Sequence, residues 1–146
     1  MKQLILATLF IALSAQTQSL EPGLWKTKTS IALNGMALPS ENEEGCVTAN
    51  EAKDPQTTIS ESLKKEKCSL TKWELKNSKL DARIECQSDE IQAKGFLRGS
   101  VSKKNYLLKG EAEGTFANAI PTFAKLNLSG QWLKPCPLAK DHKVVQ

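Results

Sequence analysis

The stretch GFLRGSVSKKNYLLKGEAEG, residues 95–114, decides the fold. Gly95, Leu97, Gly99 and Val101 alternate with Arg98 and Ser100. Leu108, Gly110, Ala112 and Gly114 alternate with Lys109, Glu111 and Glu113. Alternation with a period of two is the signature of half-buried strands. A two-residue loop at Lys104-Asn105 predicts Val101 opposite Leu108, Gly99 opposite Gly110, Leu97 opposite Ala112 and Gly95 opposite Gly114. Arg98 then faces Glu111 on the other side. Glycine inside a strand marks a bend, a bulge or the close approach of another group.

Working outward, residues 68–86 form a second hairpin. A loop at Asn77-Ser78 places Leu75 opposite Leu80, Trp73 opposite Ala82 and Thr71 opposite Ile84, all on one face. Slipping by one residue would separate Trp73 from Ile84, so burial selects this register. Towards the N-terminus, Trp25, Thr27, Thr29, Ile31 and Leu33 share one face of a strand over 23–33, and Asn34-Gly35 signals a turn. A polar strand over 40–47 follows. Thr48 and Glu51 have capping-box spacing, and Asp54-Pro55 reads as an N-cap followed by proline at the first helical position. Helical turns are therefore expected over 49–53 and 55–65. A last strand, about 124–133, puts Ala124, Leu126, Leu128, Gly130 and Trp132 on one face. The expected fold is mainly β: an antiparallel meander of six to seven strands curling to a barrel or half-barrel, with one short helical insertion.

Lys2, the apolar run from Leu4 to Leu13 and the small and polar residues from Ser14 to Ser19 have the layout of a secretory signal. The run is well short of the roughly 20 residues that span a bilayer. The expected organisation is a signal peptide over 1–19, cleaved after Ser14 or Ser19, one β-rich domain over 20–137 and a polar tail over 138–146. This predicts a periplasmic protein with no membrane span. Cys46, Cys68, Cys86 and Cys136 then read as two disulfides in an oxidising compartment. In the register above Cys86 faces inward opposite Ser69 while Cys68 points outward. That favours 46–68 with 86–136 over 68–86 with 46–136.

Several residues together carry a resemblance. Pro22-Gly23-Leu24-Trp25 opens the domain, Cys46-Val47-Thr48 leads into the helical segment with Asp54-Pro55, and Cys68 opens a hairpin that ends in Cys86. A late strand runs into Pro135-Cys136. In order and spacing, about 21–136 resembles the exported bacterial family called domain of unknown function 3617. The resemblance implies a periplasmic β-rich domain and carries over no activity.

The catalytic inventory is thin. His142, in the tail, is the one histidine, so Ser–His and Cys–His sites are not expected within the domain. No His, Cys and carboxylate cluster has metal-ligand spacing, and no cofactor is expected. Glu111 and Glu113 share a strand face, but they alternate with inward residues and so face solvent. Glu41, Glu43 and Glu44 form an acidic patch. The formal charge is +4. Lys64, Lys65 and Lys67, and Lys103 with Lys104, read as solvated surface and a hairpin tip, or as attraction to anionic lipid. No aromatics interleave with them, which speaks against nucleic acid.

Binding remains. Gly95, Gly99, Gly110 and Gly114 strip side chains from one patch of the inner face, and Trp25, Trp73 and Trp132 fall on the same face. The tryptophans either fill that space or line an apolar groove. The expectation is a monomeric, non-catalytic periplasmic binding or interaction module. Its partner is either a protein or a small hydrophobic ligand. Two narrower readings are a carrier of such a ligand on the glycine-lined face, and an inhibitor or accessory subunit of an envelope enzyme.

Overall fold

A computed structural model of the chain describes residues 19–117 and 119–137. The expected signal peptide, apart from Ser19, and the tail with His142 lie outside the described residues. The elements run β1 (Gly23–Leu33), β2 (Met36–Ala37), β3 (Glu41–Val47), α1 (Ala49–Lys53), α2 (Pro55–Lys65), β4 (Cys68–Lys76), β5 (Lys79–Gln87), β6 (Ile91–Val101), β7 (Asn105–Phe116) and β8 (Ile120–Lys134).

Local chemistry sets the helix starts. Glu51 N–H donates to Thr48 Oγ1 at 3.2 Å and Thr48 N–H donates to Glu51 Oε2 at 2.8 Å, closing the capping box of α1. Asp54 Oδ1 accepts from Thr57 N–H at 3.1 Å, with Pro55 at the start of α2. Each cap satisfies backbone donors that have no partner within the helix. Asn34-Gly35 and Asn77-Ser78 take positive φ at both positions, as two-residue hairpin loops require.

The strands form a single antiparallel sheet in the order β2-β1-β8-β7-β6-β5-β4, with β3 also paired to β1. The expected curl to a barrel or half-barrel is overturned. No pairing joins β4 to β1, β2 or β3, so the sheet has two free edges and stays open. There are eight strands rather than six or seven: the expected polar strand is β3, and the two-residue β2 (Met36–Ala37) is an additional one pairing with the end of β1. Both free edges carry charge, Glu41, Glu43 and Glu44 on β3 and Lys72 and Lys76 on β4, which opposes edge-to-edge closure. The helical excursion carries the chain from one edge to the other.

Two registers differ from expectation. In the β6–β7 hairpin, Ser102 Oγ donates to Asn105 Oδ1 at 2.8 Å and Ser102 N–H to the Asn105 carbonyl at 2.8 Å. These bonds close the turn around Lys103-Lys104, not Lys104-Asn105. Val101 therefore faces Tyr106, Gly99 faces Leu108, Leu97 faces Gly110 and Gly95 faces Ala112. The partner moves by two residues, so every side chain keeps its face. The expected glycine–glycine pairs become glycine–leucine and glycine–alanine pairs. Arg98, expected opposite Glu111, lies opposite Lys109 and bonds Asp81 instead.

In the β4–β5 hairpin, Leu75 faces Leu80 and Trp73 faces Ala82 as expected. An irregularity at Thr71 then shifts the register, pairing Leu70 with Ile84 and Cys68 with Cys86. A bulge of one residue swaps which side chains face inward. This corrects the connectivity: the disulfides are Cys68–Cys86 and Cys46–Cys136, not 46–68 with 86–136.

The buried cluster is small: Leu80, Ala82, Leu97, Val101 and Leu108, with Trp73, Leu70, Leu75, Tyr106, Leu126, Leu128 and Leu20 packed against it. On the outer face, Asp81 accepts from Lys72 Nζ at 2.7 Å and Arg98 Nε at 3.0 Å. Those hydrogen bonds, Lys72 first, hold its carboxyl down at about 2. The unfolded chain, with a carboxyl near 3.8, binds the proton first as pH falls. The resulting stability is fully present above that value and is lost as pH drops through about 2. Asp81→Asn is expected to flatten the acid-side stability slope, read by urea denaturation at stepped pH. A slope matching the wild type would contradict this assignment.

Candidate functional site: the inner sheet face

The register sorts the inner face into rows running from β4 towards β1. The first is Leu75, Leu80, Gly99, Leu108, Leu128 and Thr29. The second is Trp73, Ala82, Leu97, Gly110, Leu126 and Ile31. Large residues alternate with small ones for most of its length. A Cβ on Gly110 would come within 3.3 Å of Leu97 Cδ1, so leucine already occupies that space.

Beyond the first row lies a closed end. Trp25 is 2% exposed and stacks on Tyr106 with ring centroids 5.9 Å apart. Tyr106 reaches Trp25 by lying over Gly130, where any Cβ would overlap its ring. Burial raises the Tyr106 pKa. Trp25 Nε1 donates to the Glu21 carbonyl at 2.8 Å, and Trp132 Nε1 to the Pro22 carbonyl at 3.1 Å. The two indoles, directly paired across β1 and β8, thus clip the segment entering β1. Gly23 sits where a Cβ would meet the Trp132 indole and the Lys134 carbonyl. Leu20, held by a 3.0 Å bond to the Ala52 carbonyl of α1, packs on the buried cluster.

The other end is different. The third row is Leu70, Ile84, Gly95, Ala112, Ala124 and Leu33, and the fourth is the Cys68–Cys86 bridge, Ala93, Gly114 and Thr122. Their middle is a floor of small residues: Ala93, Gly95, Ala112, Gly114 and Ala124. Bulky residues surround it: Ile84 on one side, Leu33 on the other, Leu97 and Leu126 behind. Ile91, Phe116 and Ile120 cross the far end as neighbours and are 42%, 48% and 55% exposed. This half of the inner face is an apolar trough open to solvent.

The expected site residues divide between the two ends. Trp25 and Trp132 belong to the closed end, and Trp73 packs on the buried cluster. Gly99 and Gly110 lie among the packed rows. Gly95 and Gly114 belong to the trough floor, where a Cβ would meet the Glu111 and Gln92 carbonyls. Sequence reading missed Ala93, Ala112 and Ala124, although the Gly110-Ala112-Gly114 alternation signals small residues on one face. It also missed the apolar rim of Ile91, Phe116 and Ile120.

The outer face carries the charged residues and two grooves. One, of about 410 Å3, holds Glu111 and Glu113 with Arg83, Lys94, Phe96 and Phe123. Both carboxylates are exposed there. The other, of about 670 Å3, is lined by Lys26, Lys28, Lys104, Asn42, Asn105 and Gln131, among others. Among the described residues no group of His, Cys, Asp and Glu could hold a metal, and no helix is long and apolar enough to cross a membrane.

No curated protein and no solved structure matches the chain. A family match covers residues 20–136, which takes in the entry clip, both disulfides, the buried cluster and the trough. Over that whole span the chain belongs to the family described as Protein of unknown function (DUF3617).

Proposed function

We propose that this domain is a non-catalytic binding module of the bacterial periplasm that carries a small hydrophobic ligand in the trough of its inner face. One observation supports this most. The floor of Ala93, Gly95, Ala112, Gly114 and Ala124 lies between bulky apolar walls while Ile91, Phe116 and Ile120 stay exposed. A recessed floor suits a slim chain or flat ring, and apolar surface withdrawn from water supplies about 25 cal/mol per Å2. The two disulfides support an oxidising compartment. The exposed, cation-flanked setting of Glu111 and Glu113 supports a binding role over acid–base chemistry.

The test is native mass spectrometry on the mature protein, purified from a periplasm without detergent. A reproducible added mass of a few hundred daltons is expected. Ala124→Leu and Ala93→Leu fill the trough without meeting backbone and should each abolish the adduct. An adduct that survives both substitutions would refute the trough as its seat. A bare wild-type mass would instead favour an accessory subunit, a reading supported by Met36 and Leu38, 71% and 42% exposed beside the free β2–β3 edge.

A further inference from the structure

We infer that the groove at the outer face of β1 and β8 binds a phosphorylated polyol, such as the headgroup of an anionic phospholipid or a soluble glycerol phosphate. Thr27 faces inward, so Lys26 and Lys28 on either side of it project together to the outer face. Across β8 they face Gln131 and Ser129, and across β3 Lys28 faces Asn42. Lys104 borders the groove from the β6–β7 turn, and its Nζ lies 4.6 Å from the centre of the Trp132 ring, on the side of the closed end.

Lys26 and Lys28, with Lys104 and Trp132 at one end, line a volume of about 670 Å3, and no carboxylate is among its lining residues. Glu44, opposite Lys26 on β3, is the nearest acidic partner by register and leaves an excess of positive charge. Lysine ammonium groups donate and cannot accept, which matches the oxygens of a phosphoryl group. Asn42, Asn105, Ser129 and Gln131 both donate and accept, which matches the hydroxyls of the attached polyol. The groove lies on the opposite face from the trough, so this inference stands independently of the carrier reading.

The test uses the mature full chain, labelled with nitrogen-15, and two probes. One is glycerol 3-phosphate; the other is phosphatidylglycerol in phosphatidylcholine vesicles, with pure phosphatidylcholine as control. Amide shifts confined to residues around Lys26, Lys28, Asn105 and Gln131 are expected with at least one probe. The double variant Lys26→Gln/Lys28→Gln should weaken binding by about tenfold. Lys64→Gln/Lys65→Gln on α2 removes the same charge elsewhere and should change it by less than about twofold. Response to vesicles alone assigns the lipid headgroup; response to glycerol 3-phosphate assigns the soluble compound. Equal weakening by the two double variants, or no response to either probe, would overturn the inference. Ala124→Leu should leave this binding unchanged, which keeps its outcome separate from that of the trough.

Discussion

Replacing both Cys46 and Cys136 by alanine is expected to destabilise the domain by about 4 to 5 kcal/mol. The bridge closes a sequence separation of 90 residues, against 18 for Cys68–Cys86. In the chain-entropy account the longer loop restrains the unfolded chain more, and the shorter bridge contributes about 3 kcal/mol. The location adds to the effect. Leu24 on β1 lies between Cys46 on β3 and Lys134 on β8, so the bridge ties the exposed edge strand to the end of β8. The buried cluster has five members, and a core of that size leaves much of the stability to covalent links. Denaturation in urea at fixed pH compares the two double variants. A larger loss from Cys68→Ala/Cys86→Ala would contradict the ranking. Peptide mapping without reduction should recover 46–136 and 68–86.

Trp25→Ala is expected to cost about 3 to 5 kcal/mol, the range for removing a large buried aromatic. The indole is 2% exposed, stacks on Tyr106 and bonds the Glu21 carbonyl. Its loss leaves a cavity, removes the stacking partner of Tyr106 and unpins the segment that brings Leu20 onto the buried cluster. Trp25→Phe keeps the stack but loses the Nε1 donor, so a smaller cost of about 1 to 2 kcal/mol is expected. Amide hydrogen exchange provides the local readout. Glu21 N–H, which bonds the Lys103 carbonyl at 2.8 Å, should lose protection in Trp25→Ala before the strands do. Equal stability of the alanine and wild-type proteins would show that the clip does not hold the fold. Typical domains are stable by about 5 to 15 kcal/mol, so either of these losses is a large share of the whole.

Much of the candidate site was legible because side-chain parity survives errors of register. The β6–β7 pairing moved by two residues when Ser102 and Asn105 closed the turn, yet Gly95, Gly114 and Ala112 stayed on the inner face. What was not legible is which part of that face is covered. Trp25, Trp73 and Trp132 share a face with the glycines in one dimension. Their separation from the trough depends on where the entry segment, α1 and Tyr106 pack, and these are contacts between distant parts of the chain. The disulfide pairing failed for a related reason. One extra residue at Thr71 exchanged inward for outward at Cys68, and no local pattern announced that bulge.

The sequence by itself determined the long strands, both helix starts, the Asn-Gly and Asn-Ser turns and the face of the strand residues away from the bulge at Thr71. All are local consequences of period-two burial, capping hydrogen bonds and backbone sterics. Only the tertiary structure decided that the sheet stays open, that Cys46 meets Cys136, and that one half of the inner face is packed while the other is bare. Those outcomes rest on edge pairing, a bulge and close approach at Gly130. Each depends on which distant segments meet, and that is a property of the whole chain's packing.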